Sequence, residues 1–304
     1  MLSVIIPCKD EEESIGLVIE ELKNLKMDMD IIVVDNNSID NTYEVAKAHD
    51  VTVLREPTPG KSAAISTGLR KLKDSTTSVF MLDGDGTYSV EELSIALVKM
   101  NSEGFHLVNG VRVPVILEDR KPPFPKWHNL GNLFLSFFYS LLFGKKSPDI
   151  LSGWRLMSRN FVESLTINKN GFTLEVDLNA HCYELGISSA SIPVQYKGRK
   201  FNSSSKLMRF RHGIEIAVAI ISSFRRLRPS RFYSFIAVPI LASSLVLFSR
   251  VISTFSHSGE FRLPSLIIAS ICAASGFGVI LVGQILKYIC ELRRLFIRKF
   301  FQSY

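Results

Sequence analysis

The first half of the chain alternates short runs of β-branched and aliphatic residues with longer stretches whose apolar residues recur at helical spacing. The apolar runs are LSVIIP, DIIVVDN, VTVLREP, SVFMLDGD and HLVNGVRV. Stretches such as EEESIGLVIEELKNL and SVEELSIALVKM separate them and predict helices. Strands that alternate with helices pair in parallel and are buried on both faces. The pattern therefore predicts an α/β fold with a doubly wound, largely parallel sheet.

Polar residues cluster at the points where these apolar runs end. The clusters are Lys9–Asp10–Glu11, Asp35–Asn36–Asn37–Ser38, Gly60–Lys61 and Asp83–Gly84–Asp85. Ligands of doubly wound sheets bind at the carboxyl ends of the strands. We therefore expect the four clusters to line one edge of the sheet and to form a binding site there.

Two later segments, residues 232–252 and 263–289, are long and apolar enough to cross a hydrocarbon core of about 30 Å. Their outer flanks, residues 225–231 and 293–299, are strongly basic, whereas the connecting loop has one arginine and one glutamate. Positive charge marks the cytoplasmic side of membrane helices. The pattern predicts an integral membrane protein with a two-helix transmembrane hairpin and both outer ends in the cytoplasm. Two buried helices of a soluble domain are the alternative.

These segments define the predicted organisation of the chain. A cytoplasmic α/β domain (1–205) is followed by a basic amphipathic interfacial helix (206–231), the transmembrane hairpin (232–289) and a basic cytoplasmic tail (290–304). The start, MLSVIIPCKDEEES, does not resemble a cleavable signal, because its apolar run has strand length and acidic residues follow it. The apolar segment 132–143 predicts a helix that is either buried or lies in the membrane interface.

The charge of the chain indicates which partners to expect. The formal net charge is +7, and the basic residues concentrate around the membrane segments, with Arg209 and Arg211 nearby. They do not interleave with aromatic residues on a soluble face, which argues against a nucleic-acid partner. Anionic membrane lipids are the expected partner of this basic region. The four cysteines are widely spaced and indicate neither a zinc site nor a disulfide framework.

The segment DGDGTYSVEEL places Asp83 and Asp85 one residue apart where an apolar run ends. A calcium EF-hand is excluded because Tyr88 and Ser94 occupy its required glycine and glutamate positions. A turn that leads into a capped helix uses the same residue types. The third interpretation is Mg²⁺ or Mn²⁺ bound to carboxylate and phosphate oxygens. We favour it because these carboxylates lie beside Asp35 at a ligand-binding edge and repel one another unless a cation neutralises them.

Three motifs, IIPCKDEEESI, VVDNNSIDNT and LDGDGTY, together resemble the family-2 glycosyltransferases of GT-A fold. No GxGxxG follows the first strand and no P-loop motif occurs, which disfavours the other common nucleotide sites. The resemblance implies a nucleotide sugar donor and a metal ion at Asp83 and Asp85, although Asp83 has a second possible role in positioning a sugar hydroxyl. The nucleotide-binding residues that it implies are Pro7, Lys9, Glu11, Asp35, Asn37, Lys61, Asp83 and Gly84. Lys9, Asp10 and Asn36 depart from the family pattern, which leaves the identity of the base open.

Segments in the second half of the soluble part indicate the class of acceptor. The segments DILSGWRLMSRNFVESL, GFTLEVDLNAHCYELG and IPVQYKGRKFNSSSKL resemble the polyprenyl- and dolichyl-phosphate glycosyltransferases. An anionic lipid head at a membrane surface needs cationic side chains. The candidates for the acceptor phosphate are Arg112, Arg155, Arg199 and Lys206, and those for the sugar pocket are Trp154, Glu175 and Asp177. A structural salt bridge is the alternative for Arg155, a solvated basic face for Arg199, a core position for Trp154 and a helix surface for Asp177.

The predicted chemistry follows from the acceptor. A phosphate oxygen is ionised near neutral pH, so positioning and charge stabilisation dominate over general-base catalysis. The residues assigned to the reaction are Asp83, Asp85, Arg112, Arg155 and Arg199. The resemblance implies inversion and a hexosyltransferase that uses UDP-glucose or UDP-N-acetylglucosamine. The alternatives are a GDP-mannose-dependent synthase, a transferase that extends a lipid-linked glycan and a catalytically silent membrane scaffold. The sequence does not indicate an oligomeric state.

Overall fold

The computed structural model describes residues 1–118, 120, 122–123, 126–144, 147–165, 173–199 and 209–302. The chain divides into two compact units, of which the first runs from Met1 to Ile220 and the second from Ile221 to Lys299. The unit boundary falls inside the basic segment 206–231.

The described part of the first unit contains seven strands. They are β1 (Leu2–Cys8), β2 (Met29–Asp35), β3 (Thr52–Arg55), β4 (Ser78–Met81), β5 (Leu107–Val115), β6 (Arg155–Ser158) and β7 (Ser189–Lys197). The helices between them are α1 (Ile15–Asn24), α2 (Thr42–Lys47), α3 (Lys61–Leu69), α4 (Leu93–Glu103), α5 (Lys126–Phe143), α6 (Arg159–Glu163) and α7 (Leu174–Leu185). Helix α8 (Arg209–Leu227) contains the unit boundary, and α9 (Pro229–Ser258) and α10 (Leu263–Gln302) follow it.

The seven strands form one sheet in the order β3-β2-β1-β4-β6-β5-β7. Strand β1 pairs in parallel with β2 and β4, β2 pairs in parallel with β3, and β5 pairs in parallel with β7. Strand β6 runs antiparallel to both of its neighbours, β4 and β5. Six strands therefore point the same way, which confirms the predicted largely parallel α/β sheet. The sequence pattern predicted neither β6, which separates β4 from β5, nor β7.

Both faces of the central strand β1 are covered. Val4 and Ile6 are buried in the main core with Ile19 of α1. On the opposite face, a side chain at Gly68 of α3 would come within 2.6 Å of Ile5, so the missing side chain lets α3 approach the sheet. Burial on both faces explains why the central strands read as continuous apolar runs rather than as an alternating pattern.

Helix α5 has one buried and one exposed apolar face. The exposed residues, each about 60 to 66% exposed, are Leu130, Leu133, Phe134, Phe137 and Leu141, and the buried ones are Leu135, Tyr139 and Phe143. The exposed set follows the i, i+3, i+4, i+7 spacing of one helix face. The sequence left open whether this helix is buried or interfacial, and the structure shows one buried face and one exposed apolar face.

In the second unit, α9 and α10 pack as an antiparallel pair through small residues of α10. Ser244 donates to the carbonyl oxygen of Ala269 at 2.7 Å. A side chain at Gly276 would lie 2.6 Å from Leu241, and one at Gly283 would lie 2.8 Å from the Cβ atom of Tyr233. The three small residues of α10 recur every seven positions and form one close contact line.

Both helices of the second unit contain stretches long and apolar enough to cross a membrane, Pro229–Ser258 and Leu263–Ile297, by length and composition. Only 17% of the apolar window of each is buried, so most of their apolar side chains face outward. The helices extend beyond both predicted segments. The orientation of the hairpin and the cytoplasmic location of the termini stay predictions.

Candidate active site

Four carboxylates surround the carboxyl end of β1. Burial of the Cys8 thiol raises its pKa, and the negative charges of Glu11, Asp35, Asp83 and Asp85 raise that pKa further. These acids follow β1, β2 and β4, which point the same way. The structure therefore brings the predicted polar clusters together at one edge of the sheet.

Lys61, the first residue of α3, binds two of the acidic side chains. Its Nζ atom lies 2.5 Å from Asp83 Oδ1 and 2.7 Å from Glu175 Oε1. Burial lowers the pKa of Lys61, but the two carboxylates outweigh that effect and raise it above its ordinary value. Glu175 belongs to the first turn of α7, far along the chain from Lys61. The ion pairs therefore join the start of α3, the end of β4 and α7.

Asp85 binds a second cation, Arg199, which follows the end of β7. Arg199 Nη2 donates to Asp85 Oδ2 at 2.8 Å, and its Nη1 donates to Glu11 Oε1 at 3.4 Å. The other oxygen of Asp85 accepts from the backbone N–H and the hydroxyl of Thr87 at 3.1 and 2.6 Å. Burial lowers the pKa of Arg199, and the charges of Asp85 and Glu11 raise it to a net upward shift.

Backbone pairing brings Arg199 to Asp85. Tyr88, just after the acidic loop, forms an antiparallel bridge with Tyr196 near the end of β7, and their rings meet edge to face at 4.9 Å. The N–H of Lys197 donates to the carbonyl oxygen of Thr87 at 2.6 Å. The acidic loop and the end of β7 are therefore held against each other by backbone and ring contacts.

Gly153 and Gly84 allow close approach at this edge. A Cβ atom at Gly153 would lie 2.1 Å from Asp83 Oδ2, and one at Gly84 would lie 2.5 Å from the sulfur of Cys8. Gly153 also donates its N–H to the Tyr88 hydroxyl at 2.8 Å. No role was predicted for Gly153 from the sequence, although it lies in the SGWR segment that carried the resemblance.

Arg112 lies in a buried ion pair with Asp149. Its Nε and Nη2 atoms donate to the two carboxylate oxygens of Asp149, each at 2.7 Å. Asn132 of α5 donates to Asp149 Oδ1 at 3.2 Å. Burial raises the pKa of Asp149, and the bonds and charge of Arg112 lower it to a net downward shift. Asp149 neutralises Arg112 and links it to α5, a role that the sequence analysis did not assign.

The structure does not support the predicted contact of Arg155 with an acceptor phosphate. Its side chain is 0% exposed, and its guanidinium donates to the carbonyl oxygens of Ser152 and Ile150 and to Asn109 Oδ1 at 3.0, 2.9 and 2.7 Å. Burial lowers its pKa. These three hydrogen bonds hold the guanidinium of Arg155 inside the protein, so it does not reach an acceptor phosphate. Arg155 fixes the turn that enters β6, through neutral oxygens instead of a salt bridge.

One predicted sugar-pocket residue lies in the core. Trp154 is fully buried, its ring lies 4.7 Å from that of Phe80, and its indole N–H donates to the carbonyl oxygen of Ser89 at 3.1 Å. It is a core residue and cannot line an open pocket. Asp177 accepts from the hydroxyl of Thr173, the N-cap residue of α7, at 3.2 Å. Its place in the sugar pocket stays a prediction.

The remaining predicted nucleotide contacts surround the ends of β1 and β2. Asp35 is buried and accepts from the N–H of Ser38 at 3.2 Å, which shapes the loop after β2. Asn37 has a positive φ of 61° in that loop. Pro7 is half-buried and Lys9 is exposed. Lys206 lies outside the described residues, and so do the side chains of Arg209 and Arg211.

The structure explains why Asn36 departs from the family pattern. Its amide nitrogen donates to the carbonyl oxygens of Glu56 and Thr58 at 3.0 and 2.7 Å, and its oxygen accepts from the N–H of Gly60 at 2.7 Å. An aspartate has no donor for the two carbonyl groups. Asn36 therefore fixes the segment that leads to Lys61.

The acidic edge fits a divalent cation that arrives with a diphosphate. Among the residues that the structure describes, no three histidine, cysteine or acidic side chains are arranged to hold a metal ion by themselves. Mg²⁺ usually takes one or two carboxylates and completes its shell with phosphate oxygens and water. Asp83 and Asp85 supply hard oxygen ligands of this kind, and each is paired with a cationic side chain. Such an ion competes with those side chains for the carboxylates.

Comparison with known proteins gives consistent matches. The sequence model described as Glycosyl transferase family 2 matches residues 3–166. The chain is 25% identical over 260 residues to the glycosyltransferase AglJ of Haloferax volcanii, covering 84% of each protein. It is 28% identical over 185 residues to the UDP-N-acetylglucosamine–dolichyl-phosphate N-acetylglucosaminyltransferase of Methanococcus voltae, covering 55% of this chain and 72% of that protein.

A solved structure of glucosyl-3-phosphoglycerate synthase from Mycobacterium tuberculosis, in complex with Mn²⁺, uridine diphosphate and phosphoglyceric acid, has a similar fold. The TM-score is 0.57 at 21% sequence identity, and the match covers 74% of this chain and 78% of that one. Together with the family match, this similarity confirms the predicted fold class.

Proposed function

The chain belongs to glycosyl transferase family 2, and from this premise we propose that it transfers a hexose from a nucleotide diphosphate sugar to a polyprenyl phosphate such as dolichyl phosphate. The proposed donor is UDP-N-acetylglucosamine or UDP-glucose, and the proposed product is a β-linked lipid phosphate sugar formed with inversion. The named activity of the Methanococcus voltae relative supports this donor and acceptor class.

The observation that carries the proposal is the set of ion pairs at the acidic edge. Asp83 and Asp85, from one loop, face Lys61 and Arg199, from two other segments. A sugar diphosphate with a divalent ion needs this combination, because acidic oxygens bind the ion and cationic side chains bind phosphate. The proposed donor contacts are Pro7, Lys9, Glu11, Asp35, Asn37, Lys61, Asp83 and Gly84.

Apolar surfaces support a lipid acceptor. The exposed face of α5 presents five large apolar side chains, and two further helices are long and apolar enough to cross a membrane. Exposed apolar patches of this size mark membrane or partner contacts. We assign the exposed face of α5 to the membrane interface and the basic residues around α9 and α10 to anionic lipids. The catalytic unit and both termini then lie in the cytoplasm.

The mechanism needs no proton transfer. An ionised oxygen of the acceptor phosphate attacks the anomeric carbon, and the bond from that carbon to the nucleotide diphosphate breaks with its electron pair on the diphosphate. Lys61 neutralises charge on the departing group, and Arg199 orients the acceptor phosphate, while Arg112 stays paired with Asp149. When bound at Asp83 and Asp85, Mg²⁺ or Mn²⁺ supplies further neutralisation of that charge.

Radiolabel transfer into lipid tests this proposal. Purified protein, Mn²⁺ and a polyprenyl phosphate are incubated with labelled UDP-N-acetylglucosamine, UDP-glucose or GDP-mannose, and the lipid is extracted into organic solvent. We expect label from one of the UDP-sugars to enter the lipid phase. The matched control is the corresponding polyprenol without phosphate, which we expect to accept no label. Label from GDP-mannose alone overturns the proposed donor, and label from no donor overturns the proposed transfer.

The Gly153→Ala variant is expected to lose activity without losing its fold. The new methyl group occupies space within 2.1 Å of the Asp83 carboxylate, so that carboxylate shifts away from Lys61. We expect sugar transfer to fall by roughly 10- to 100-fold, as for a modest misplacement of a site group. The control is Gly131→Ala on α5, where a methyl group meets nothing within 4 Å. Equal transfer rates in the two variants would contradict this role of Gly153.

The membrane contact of α5 predicts a selective loss of lipid affinity. In the Phe134→Ser/Phe137→Ser variant, we expect KM for a long-chain polyprenyl phosphate in vesicles to rise several-fold, because two large apolar side chains leave the interface. KM for the donor stays unchanged. The matched control is Ile95→Ser/Val98→Ser on α4, whose side chains are similarly exposed. The same rise in both double variants would argue against a specific membrane contact.

A further inference from the structure

A short antiparallel ribbon joins the acidic loop to the end of β7. Tyr88 is bridged to Tyr196, and the N–H of Lys197 donates to the carbonyl oxygen of Thr87 at 2.6 Å. In an antiparallel pair, one step forward along one strand is opposite one step back along the other. The register of this ribbon therefore places each residue of the acidic loop opposite a definite residue at or after the end of β7.

Asp85 and Arg199 are the opposite pair at the end of this ribbon. Counted from the tyrosine bridge, Gly86 is opposite Gly198, and Asp85 is opposite Arg199. Arg199 donates to Asp85 Oδ2 at 2.8 Å, which agrees with this register. Gly86 has a positive φ of 66°, a conformation that does not continue an extended ladder. The relative position of Asp85 and Arg199 therefore depends on how the two glycines are held.

Arg120, in the loop after β5, holds both glycines. Its Nη1 atom donates to the carbonyl oxygen of Gly86 at 2.8 Å and to that of Gly198 at 3.3 Å. Two carbonyl oxygens cannot hydrogen-bond each other, and each needs a donor when it is taken out of water. One guanidinium nitrogen carries two hydrogens and supplies both bonds. Because both bonds go to main-chain atoms, Arg120 fixes the backbone directly after Asp85 and directly before Arg199.

Resting on the proposed function, we propose that Arg120 is a positioning residue for sugar transfer. It keeps Asp85, a proposed metal ligand, at a fixed distance from Arg199, the proposed contact of the acceptor phosphate, and it touches neither substrate. Without Arg120 the ribbon opens at its end, and the donor side and the acceptor side of the site shift relative to each other. A misplacement of about 1 Å in an active site lowers the rate by up to about 100-fold.

Hydrogen exchange of the ribbon tests this role without turnover. Amide exchange of the full-length protein in detergent is followed by mass spectrometry in peptides that cover residues 84–90 and 194–199. We expect exchange in both peptides to be roughly fivefold faster in Arg120→Met than in the wild type, because the end of the ribbon opens more often. Arg120→Lys restores slow exchange, since its ammonium group also donates to two carbonyl oxygens. Unchanged exchange in Arg120→Met overturns the proposal.

The matched control for the exchange experiment is Arg159→Met. Arg159 donates to the carbonyl oxygen of Lys73 at 3.1 Å, so it too is an arginine bound to the main chain. It follows β6 at the edge of the sheet where β4 begins, opposite to the acidic edge. We expect exchange of the ribbon in this variant to match that of the wild type. Equally fast exchange of the ribbon in both methionine variants overturns the specific role of Arg120.

Transfer kinetics separate positioning from direct binding. We expect kcat to fall by about 10- to 100-fold in Arg120→Met, and KM for the donor and for polyprenyl phosphate to change by less than about threefold. Arg120→Lys regains most of the rate. A rise in KM at unchanged kcat shows that Arg120 binds a substrate and overturns the positioning role, as does an unchanged rate. Absence of label transfer from every donor in the wild type is the separate failure of the proposed function, and Arg120 is then only a structural residue of the ribbon.

Discussion

The Asp85→Asn variant is expected to lose sugar transfer by about 100- to 1,000-fold, the range typical for removing one preorganised electrostatic group from an active site. Asparagine keeps an oxygen that accepts from Thr87, so the loop retains its shape. The negative charge is lost, and with it the ion pair to Arg199 and the hard oxygen ligand for a divalent cation. The measurement is the rate of label transfer to polyprenyl phosphate at saturating donor.

The control for this variant is Asp74→Asn. Asp74 is exposed and precedes β4, so it lies at the opposite edge of the sheet from Asp85. We expect its transfer rate and its thermal unfolding midpoint to match those of the wild type. A transfer rate within about threefold of the wild type in Asp85→Asn would show that this carboxylate has no part in the reaction.

The largest stability effect is expected from Arg155→Met. Methionine fills much of the space of arginine but leaves the carbonyl oxygens of Ser152 and Ile150 and the side-chain oxygen of Asn109 without a donor. Each buried unsatisfied acceptor costs about 1 to 3 kcal/mol. We expect the free energy of unfolding to fall by about 3 kcal/mol or more, measured by chemical denaturation of the detergent-solubilised protein.

The control is Arg159→Met, at the start of α6. Arg159 is paired with Glu163 four residues later, both side chains are partly exposed, and such pairs near the surface contribute about 0.2 to 1 kcal/mol. A wild-type stability for Arg155→Met, combined with a selective loss of affinity for polyprenyl phosphate, would restore the acceptor role that the sequence suggested for Arg155.

Much of the fold was predictable because local patterns determine it. The continuous apolar runs of β1 and β2 follow from burial on both faces, and the polar residues after them follow from the common direction of the strands. The position of β6 was not predictable in this way. Its four residues lie between β4 and β5 through long-range antiparallel pairing, which no local periodicity encodes.

The same long-range pairing explains the errors in the candidate site. The motif around Trp154 and Arg155 suggested a sugar pocket and an acceptor-phosphate contact, but the pairing of β6 on both sides places these side chains inside the protein. Asp149 lies 37 residues from Arg112, so no sequence spacing marks the pair. By contrast, the meeting of Lys61 and Asp83 at one edge of the sheet was predictable, because each comes after a strand and these strands point the same way.

The most direct test of the acidic edge as a nucleotide diphosphate site is equilibrium binding of labelled UDP and GDP to the full-length protein, with Mn²⁺ or with EDTA. We expect one nucleotide to bind saturably with Mn²⁺, binding to weaken at least tenfold in EDTA, and the Asp83→Asn/Asp85→Asn variant to behave in Mn²⁺ as the wild type does in EDTA. Binding of neither nucleotide, or binding that neither EDTA nor the double substitution weakens, would contradict the proposed site.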